Sequence, residues 1–350
     1  MDGPAEQANK ALEWTALPND LREYSEIMCI FVRYVKDEPV MKKVFFLMAA
    51  VLLVAVSCRE NQVNPVTPPD PKTEPEAEPV ELRLASFNIR LDTDADTGYK
   101  DWQARKANCM AVVRNHGFDV FGLQEVLANQ QKDFKEMLPE YAFYFVGRDT
   151  GTSGEAVGIG YRQDRFEIVD WGRFWLSDTP DKPSGSVNWG GMTRHRVAAW
   201  VKLQHKASGK QFYYLSTHLE VNNSGNDYAG VREKSAQLII ERMHQENGTG
   251  LPQFVVGDMN PDSDEEAALK AFRAAYSDSF RVAEEKGFRE GPKGTYQAFD
   301  PSRDLNKASS HPSDLIFYTT GKLKSFSALT DKFDGYYPSD HLPVMAVFEL

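Results

Sequence analysis

The sequence predicts an α/β chain in which two β-sheets pack face to face with helices outside. Three observations carry this. Segments with strand character outnumber helical ones by ten to four. The strands carry spread-out aromatic and aliphatic residues, as packed sheets require. The polar clusters fall mostly where strands end, which is where folded chains place function.

The first 40 residues show neither a helical face nor strand alternation. Met41-Lys42-Lys43 then precedes an apolar run from Val44 to Val56, followed by Ser57-Cys58. This is a basic start, an apolar stretch too short to span a bilayer comfortably, and a small residue before a cysteine. It resembles a bacterial lipoprotein signal with Cys58 as the lipidated residue. Translation is then expected to start at Met41, with 1–40 a mis-assigned upstream start and 41–58 the signal. Residues 59–80 hold six of the nineteen prolines and few apolar residues, the composition of a disordered tether. A domain over 81–350 is expected to follow, anchored outside the cytoplasm and touching the membrane only through its lipid. A monomer is expected.

Within 81–350 the strand-like segments are 82–89, 118–124, 142–147, 156–162, 166–176, 197–205, 212–219, 252–257, 313–319 and 344–350. Some alternate polar and apolar residues; others are short apolar runs. Helices are expected near 102–115, 130–138, 231–247 and 264–276, the third with Val231, Leu238, Ile239 and Met243 on one face.

The formal charge is −11, and residues 59–350 hold 34 Lys and Arg against 43 Asp and Glu. That balance disfavours a broad, sequence-independent grip on duplex DNA, which depends on phosphate neutralisation. Cys29, Cys58 and Cys109 form neither a disulfide framework nor a zinc-like spacing, which excludes a redox or zinc protein.

Six motifs carry chemistry. Ser86-Phe87-Asn88 ends the first strand with an amide able to bond a phosphate oxygen or a metal-bound water. Gly122-Leu123-Gln124-Glu125 ends a buried strand in a carboxylate, a costly placement unless the group is paired or binds a cation. Ser216-Thr217-His218 puts an imidazole at a strand end. Val255-Val256-Gly257-Asp258-Met259-Asn260 projects two polar side chains beyond an apolar strand. Ser313-Asp314 opens another strand, and Ser339-Asp340-His341-Leu342-Pro343 precedes the last. In that last pair the carboxylate is expected to fix the tautomer of a histidine that titrates near neutral pH.

Singly each motif is weak, but in this order they resemble the endonuclease/exonuclease/phosphatase superfamily over nearly all of 81–350. The resemblance implies a four-layer αββα sandwich and metal-assisted, in-line hydrolysis of phosphate esters. It implies Mg²⁺, with Mn²⁺ an alternative, held by Glu125 with Asn88 beside it. It implies His341, oriented by Asp340, as general base or phosphate-binding histidine. Asp258 would position the water, Asn260 would stabilise phosphoryl oxygens, His218 would sit near the leaving group, and Asp314 would orient a neighbouring histidine. Further stretches resemble a secreted bacterial branch, in which Arg148, Glu155, Arg196 and Arg232 are the expected substrate-facing residues. Arg90 departs from the pattern, standing where several nucleases carry an acidic or amide residue; Ser313 replaces a common apolar residue. The acidic balance favours small phosphodiesters, phosphomonoesters or lipid head groups as substrate. A nuclease acting on DNA or RNA is the alternative, and a catalytically silent binding lipoprotein is the rival of another class.

Overall fold

Among the described residues thirteen strands form two mixed sheets. In chain order they are β1 (Glu81–Asn88), β2 (Val120–Val126), β3 (Tyr141–Gly147), β4 (Ala156–Arg162), β5 (Phe166–Trp175), β6 (Val197–His205), β7 (Gln211–His218), β8 (Gln253–Asp258), β9 (Ser277–Asp278), β10 (Arg289–Glu290), β11 (Asp314–Tyr318), β12 (Lys322–Ala328) and β13 (Val344–Glu349). The first sheet runs β10-β12-β13-β1-β2-β4-β3 and the second β5-β6-β7-β8-β11-β9. This computed structural model describes residues 79–350 except Ser224. The expected signal, its Cys58 and the tether up to residue 78 lie outside the described residues.

Both faces of the central strands are buried, so alternation sorts residues between two cores. In β1, Leu82 and Leu84 join the core between the sheets. Ala85 and Phe87 point the other way, to Trp102, Cys109 and Val113 of helix α1 (Trp102–Asn115). Phe134 of helix α2 (Ala128–Met137) packs in the same outer layer. On the far side, helices α3 (Ala229–Glu246) and α4 (Ala267–Ala275) cover the second sheet with Ile239, Met243, Leu269 and Phe272. The result is the four-layer αββα sandwich. Among the described residues no helix is long and apolar enough to cross a membrane.

All ten expected strands and four helices are present. Among the described residues three strands and two α-helices are added, β9, β10, β12, α5 (Ser279–Lys286) and α6 (Leu305–Ala308), with short 3-10 turns at Gly98–Lys100 and Val187–Trp189. β12 reads Lys-Leu-Lys-Ser-Phe-Ser-Ala, too polar to announce a strand, and it is held by antiparallel pairing with β13.

The two sheets meet closely at Gly122. A Cβ there would lie 2.5 Å from Val256 Cγ2 and 2.9 Å from Ser216 Oγ, both on the opposite sheet. The Gly122 amide instead donates to Tyr214 Oη at 3.1 Å, and Gln124 Nε2 donates to Ser86 Oγ and Ser216 Oγ, each at 3.2 Å. Gly122→Ala is therefore expected to destabilise the fold by about 1–3 kcal/mol through overpacking. Urea unfolding would show a lower midpoint at unchanged slope; an unchanged midpoint would mean the sheets can part without cost.

Candidate active site

The polar groups gather at one end of both sheets because the registers align them there. β7 and β8 are parallel with His218 opposite Asp258, and β8 and β11 are antiparallel with Asp258 opposite Asp314. Three motif residues thus form one row on the second sheet. On the first sheet Asn88 pairs with Gln124, and Glu125 follows it where the β2–β4 ladder becomes irregular. β13 enters antiparallel to β1, which sets the preceding Asp340-His341 at the same end. Gly257 lets β8 come this close to β7: its φ is 157°, and a Cβ would lie 2.1 Å from the Thr217 carbonyl oxygen.

A cleft of about 400 Å³ opens between the two rows. Its lining includes Glu125, Glu155, Arg196, His218, Asp258, Asn260, Asp340 and His341. Three lining residues, Arg90, Glu125 and Asn260, hold left-handed backbone at φ 60°, 63° and 46°. Non-glycine residues adopt that region at a cost, and such strain collects at functional sites.

Asp258 is the hub. Its Oδ2 accepts from Asn88 Nδ2 at 3.1 Å and lies 3.5 Å from His218 Nε2 and 3.6 Å from His341 Nε2. Its Oδ1 accepts from the Asn260 amide at 3.0 Å. Burial, with Asp314 close by, pushes the Asp258 carboxyl up to about 7 against the pull of His341. Burial works against charge on His341, yet the carboxylates of Asp314, Asp258 and Asp340 outweigh it and hold the ring's pKa well above the usual range. Burial and the Arg196, Arg148 and Arg194 guanidinium groups hold His218 well below it, so that ring is neutral.

One expectation is corrected by geometry. His341 Nδ1 pairs with Asp314 Oδ2 at 2.9 Å, not with Asp340. The chain bends through Pro338–Asp340 just before His341, so sequence adjacency does not bring the Asp340 carboxylate to its neighbour's ring. The Asp340 side chain contacts Ser339 Oγ and lines the cleft near Glu125. Asp314 is fixed in turn by Thr295 Oγ1 at 2.6 Å. Asn260, expected to face phosphoryl oxygens, lines the cleft and also donates Nδ2 to the Leu219 carbonyl at 3.1 Å.

One wall is cationic. Arg196 is buried between Glu220 and Glu155, at 3.4 and 3.6 Å. Arg194 also pairs with Glu220, and Arg148 pairs with Glu155 at 2.7 Å. The structure therefore places Arg196 and Glu155 on the cleft, with Arg148 behind Glu155 and outside the lining. Arg232 does not face the cleft. It is fully buried and bonded to Glu266, Asp262, Asn222 and the Glu220 carbonyl, because its position in the first turn of α3 aims it at the loops behind the wall.

Of the lining residues, the sequence reading missed Leu91, Arg194, Val221 and Tyr296. Arg194 could have been found from its spacing, two residues before Arg196 at a strand entry, which puts both on one side. Tyr296 carried no local signal. Its ring is 44% exposed and centred 5.0 Å from that of His341, placed by a backbone bridge between residues far apart in the chain.

Two donor sets could hold a cation. Asp258, Asp314 and His341 offer ligand atoms all within 4.8 Å of one another. In that set Asp314 Oδ2 is taken up by His341 and Thr295, whereas its buried Oδ1 has no partner. Glu125 accepts from Asn88 Nδ2 and the Leu91 amide, each at 3.1 Å, and shares the cleft with Asp340. These carboxylate oxygens suit a hard divalent cation, which takes few carboxylates and keeps positions for phosphate.

A sandwich of two mixed sheets with carboxylates and histidines along one edge defines a phosphoesterase class of hydrolase. Residues 85–341 match the endonuclease/exonuclease/phosphatase family, and the chain belongs to it. It is similar to an endonuclease/exonuclease/phosphatase family protein from Bacteroides thetaiotaomicron, at 32% identity over 78% of this chain and 98% of that one, with a TM-score of 0.69. It is similar to a mannosyl-6-phosphatase of the same organism, at 33% identity over 76% of this chain and 98% of that one, with a TM-score of 0.66. Among curated relatives it is 25% identical over 299 residues to the CCR4-Not complex 3'-5'-exoribonuclease subunit Ccr4 of Candida albicans. That match takes in 71% of this chain but only 38% of Ccr4. The chain is thus an enzyme of the phosphoesterase and nuclease class.

Proposed function

We propose that this chain hydrolyses small phosphate esters, phosphorylated sugars foremost, with a divalent cation such as Mg²⁺ or Mn²⁺. The observation that carries the reading is the row Asp314–His341–Asp258, opening onto a cleft whose wall presents Arg194, Arg196 and a neutral His218. An anion fits between a fixed imidazole and the guanidinium groups of buried Arg196 and partly exposed Arg194, which offer planar, multi-donor contacts to phosphate. The mannosyl-6-phosphatase neighbour supports a sugar monoester.

Glu125, with Asp340 near it, would hold the cation, which supplies charge neutralisation at the non-bridging oxygens. The residues of the chain do the rest. Asp258, with its carboxyl near 7, orients the attacking water and accepts its proton. The charged His341 ring, locked by Asp314, donates a hydrogen bond from Nε2 to the phosphoryl group. As the water oxygen bonds to phosphorus, the bond to the sugar oxygen breaks; that oxygen leaves with a proton from solvent, and Asp258 returns the proton it took. His218 lies between Asp258 and Glu155 and donates or accepts without carrying charge.

A second reading, RNA as substrate, rests on the Ccr4 relative. Both readings meet one experiment. Mannose 6-phosphate, bis-p-nitrophenyl phosphate, RNA and plasmid DNA are offered to the purified chain with Mg²⁺ or with EDTA. The expected outcome is turnover that EDTA abolishes and Mg²⁺ restores, with the sugar phosphate preferred. Preference for RNA would install the second reading. No metal-dependent turnover of any substrate by folded protein would overturn both.

A further inference from the structure

We infer that Arg232 is a positioning residue that sets the cationic wall of the cleft from behind. The inference rests on the phosphoesterase reading and names what holds its substrate wall in place.

Arg232 is completely buried, and its guanidinium ties together two segments that leave the sheet side by side. Nη1 donates to the Glu220 carbonyl at 3.0 Å and to Asn222 Oδ1 at 2.9 Å, in the segment after β7. Nη2 donates to Asp262 Oδ2 at 2.9 Å in the segment after β8. Nε and Nη2 grip Glu266 as a bidentate pair at 2.6 and 2.9 Å. Glu266 Oε2 then accepts the Asp262 amide at 2.9 Å, closing the loop.

Both segments lead directly to the site. Glu220 carries the carboxylate that pairs with Arg194 and Arg196. Asn260, two residues before Asp262, is bonded to Asp258 through its amide and to the Leu219 carbonyl through its side chain. Arg232 therefore fixes the backbone of Glu220, and Glu220 fixes the two guanidinium groups. Among the described residues the acids paired with Arg196 are Glu220 and Glu155. Loss of register at Glu220 lets both arginines swing, which weakens anion binding more than it slows the chemical step at His341 and Asp258.

Lysine keeps the charge of Arg232 but not the fork, so it cannot hold both segments at once. The test compares wild type, Arg232→Lys, Arg196→Lys and the double variant, with Glu266→Gln as a second route should Arg232→Lys fail to fold. Inorganic phosphate binding is followed by calorimetry in the presence of Mg²⁺, and kcat and KM are measured on mannose 6-phosphate. Arg232→Lys is expected to weaken phosphate binding and raise KM about tenfold, with kcat within about threefold of wild type. The double variant is expected to bind phosphate no worse than Arg196→Lys, because both changes act on one wall. A lowered melting temperature with phosphate affinity and KM at wild-type values would overturn the inference, as would additive losses in the double variant. If wild type neither binds phosphate nor turns over, the underlying reading fails instead.

Discussion

His341→Ala is expected to lower kcat on every phosphate ester the enzyme accepts by about 10²- to 10⁴-fold, the range associated with removing a positioned acid or base. The size follows from how completely the ring is prepared. It is buried, its Nδ1 is tied to Asp314 at 2.9 Å, and Nε2 faces Asp258 across 3.6 Å. Without the ring, the phosphoryl group loses its charged donor and Asp258 loses the cation that favours its ionised form. Asp314→Asn is expected to cost a similar factor, since an amide can hold the ring in the wrong tautomer. The double variant is expected to add little beyond either single change, because two residues that act as one unit are removed once. Steady-state kinetics on all three proteins checks this. A His341→Ala enzyme within tenfold of wild type would take this residue out of the chemistry. Asp340→Asn, with the His341–Asp314 pair left intact, separates the two carboxylates: a loss equal to that of Asp314→Asn would restore Asp340 as the orienting group.

Glu125→Gln is expected to lower kcat/KM by about 10²- to 10³-fold and to move the metal concentration for half-activation upward. Glu125 stands at φ 63°, an uncomfortable backbone for a glutamate, and its two oxygens are held by donors from the end of β1 and the segment after it. A side chain fixed this firmly is aimed. The glutamine variant is nearly isosteric, so its melting temperature should stay close to wild type while cation binding, read by calorimetry, weakens. Unchanged metal affinity would shift the cation to the Asp258, Asp314 and His341 set.

Much of this was legible in the sequence, and the reasons for the rest are physical. The central strands were readable because burial on both faces makes them apolar runs that end abruptly in a polar residue, as at Glu125 and Asp258. β12 was not, because lysines occupy its exposed positions and the long irregular segment 329–343 parts it from β13, so no hairpin turn announces the pair. The site was readable as an ordered series of strand ends, since register brings strand ends together. What local sequence could not say is which carboxylate reaches which ring. Asp340 adjoins His341 in sequence but serves another direction, whereas Asp314 arrives from the other sheet. Arg232 shows the same limit: a cation in a helix after a motif strand reads as substrate-facing, and only the crossing of two loops behind the wall turns it inward.

The bond between His341 and Asp314 joins the first sheet to the second, and it is also the centre of the proposed chemistry. Neither half of the sandwich owns a complete set of reacting groups. Asn88, Glu125 and His341 travel with one half, and His218, Asp258 and Asp314 with the other. Catalysis is consequently a coincidence detector for assembly. During refolding, secondary structure can return in each half separately, but turnover returns only when the halves mate in register. The lag between recovered ellipticity and recovered hydrolysis would time that mating step, and a crowded seam at Gly122 would lengthen it.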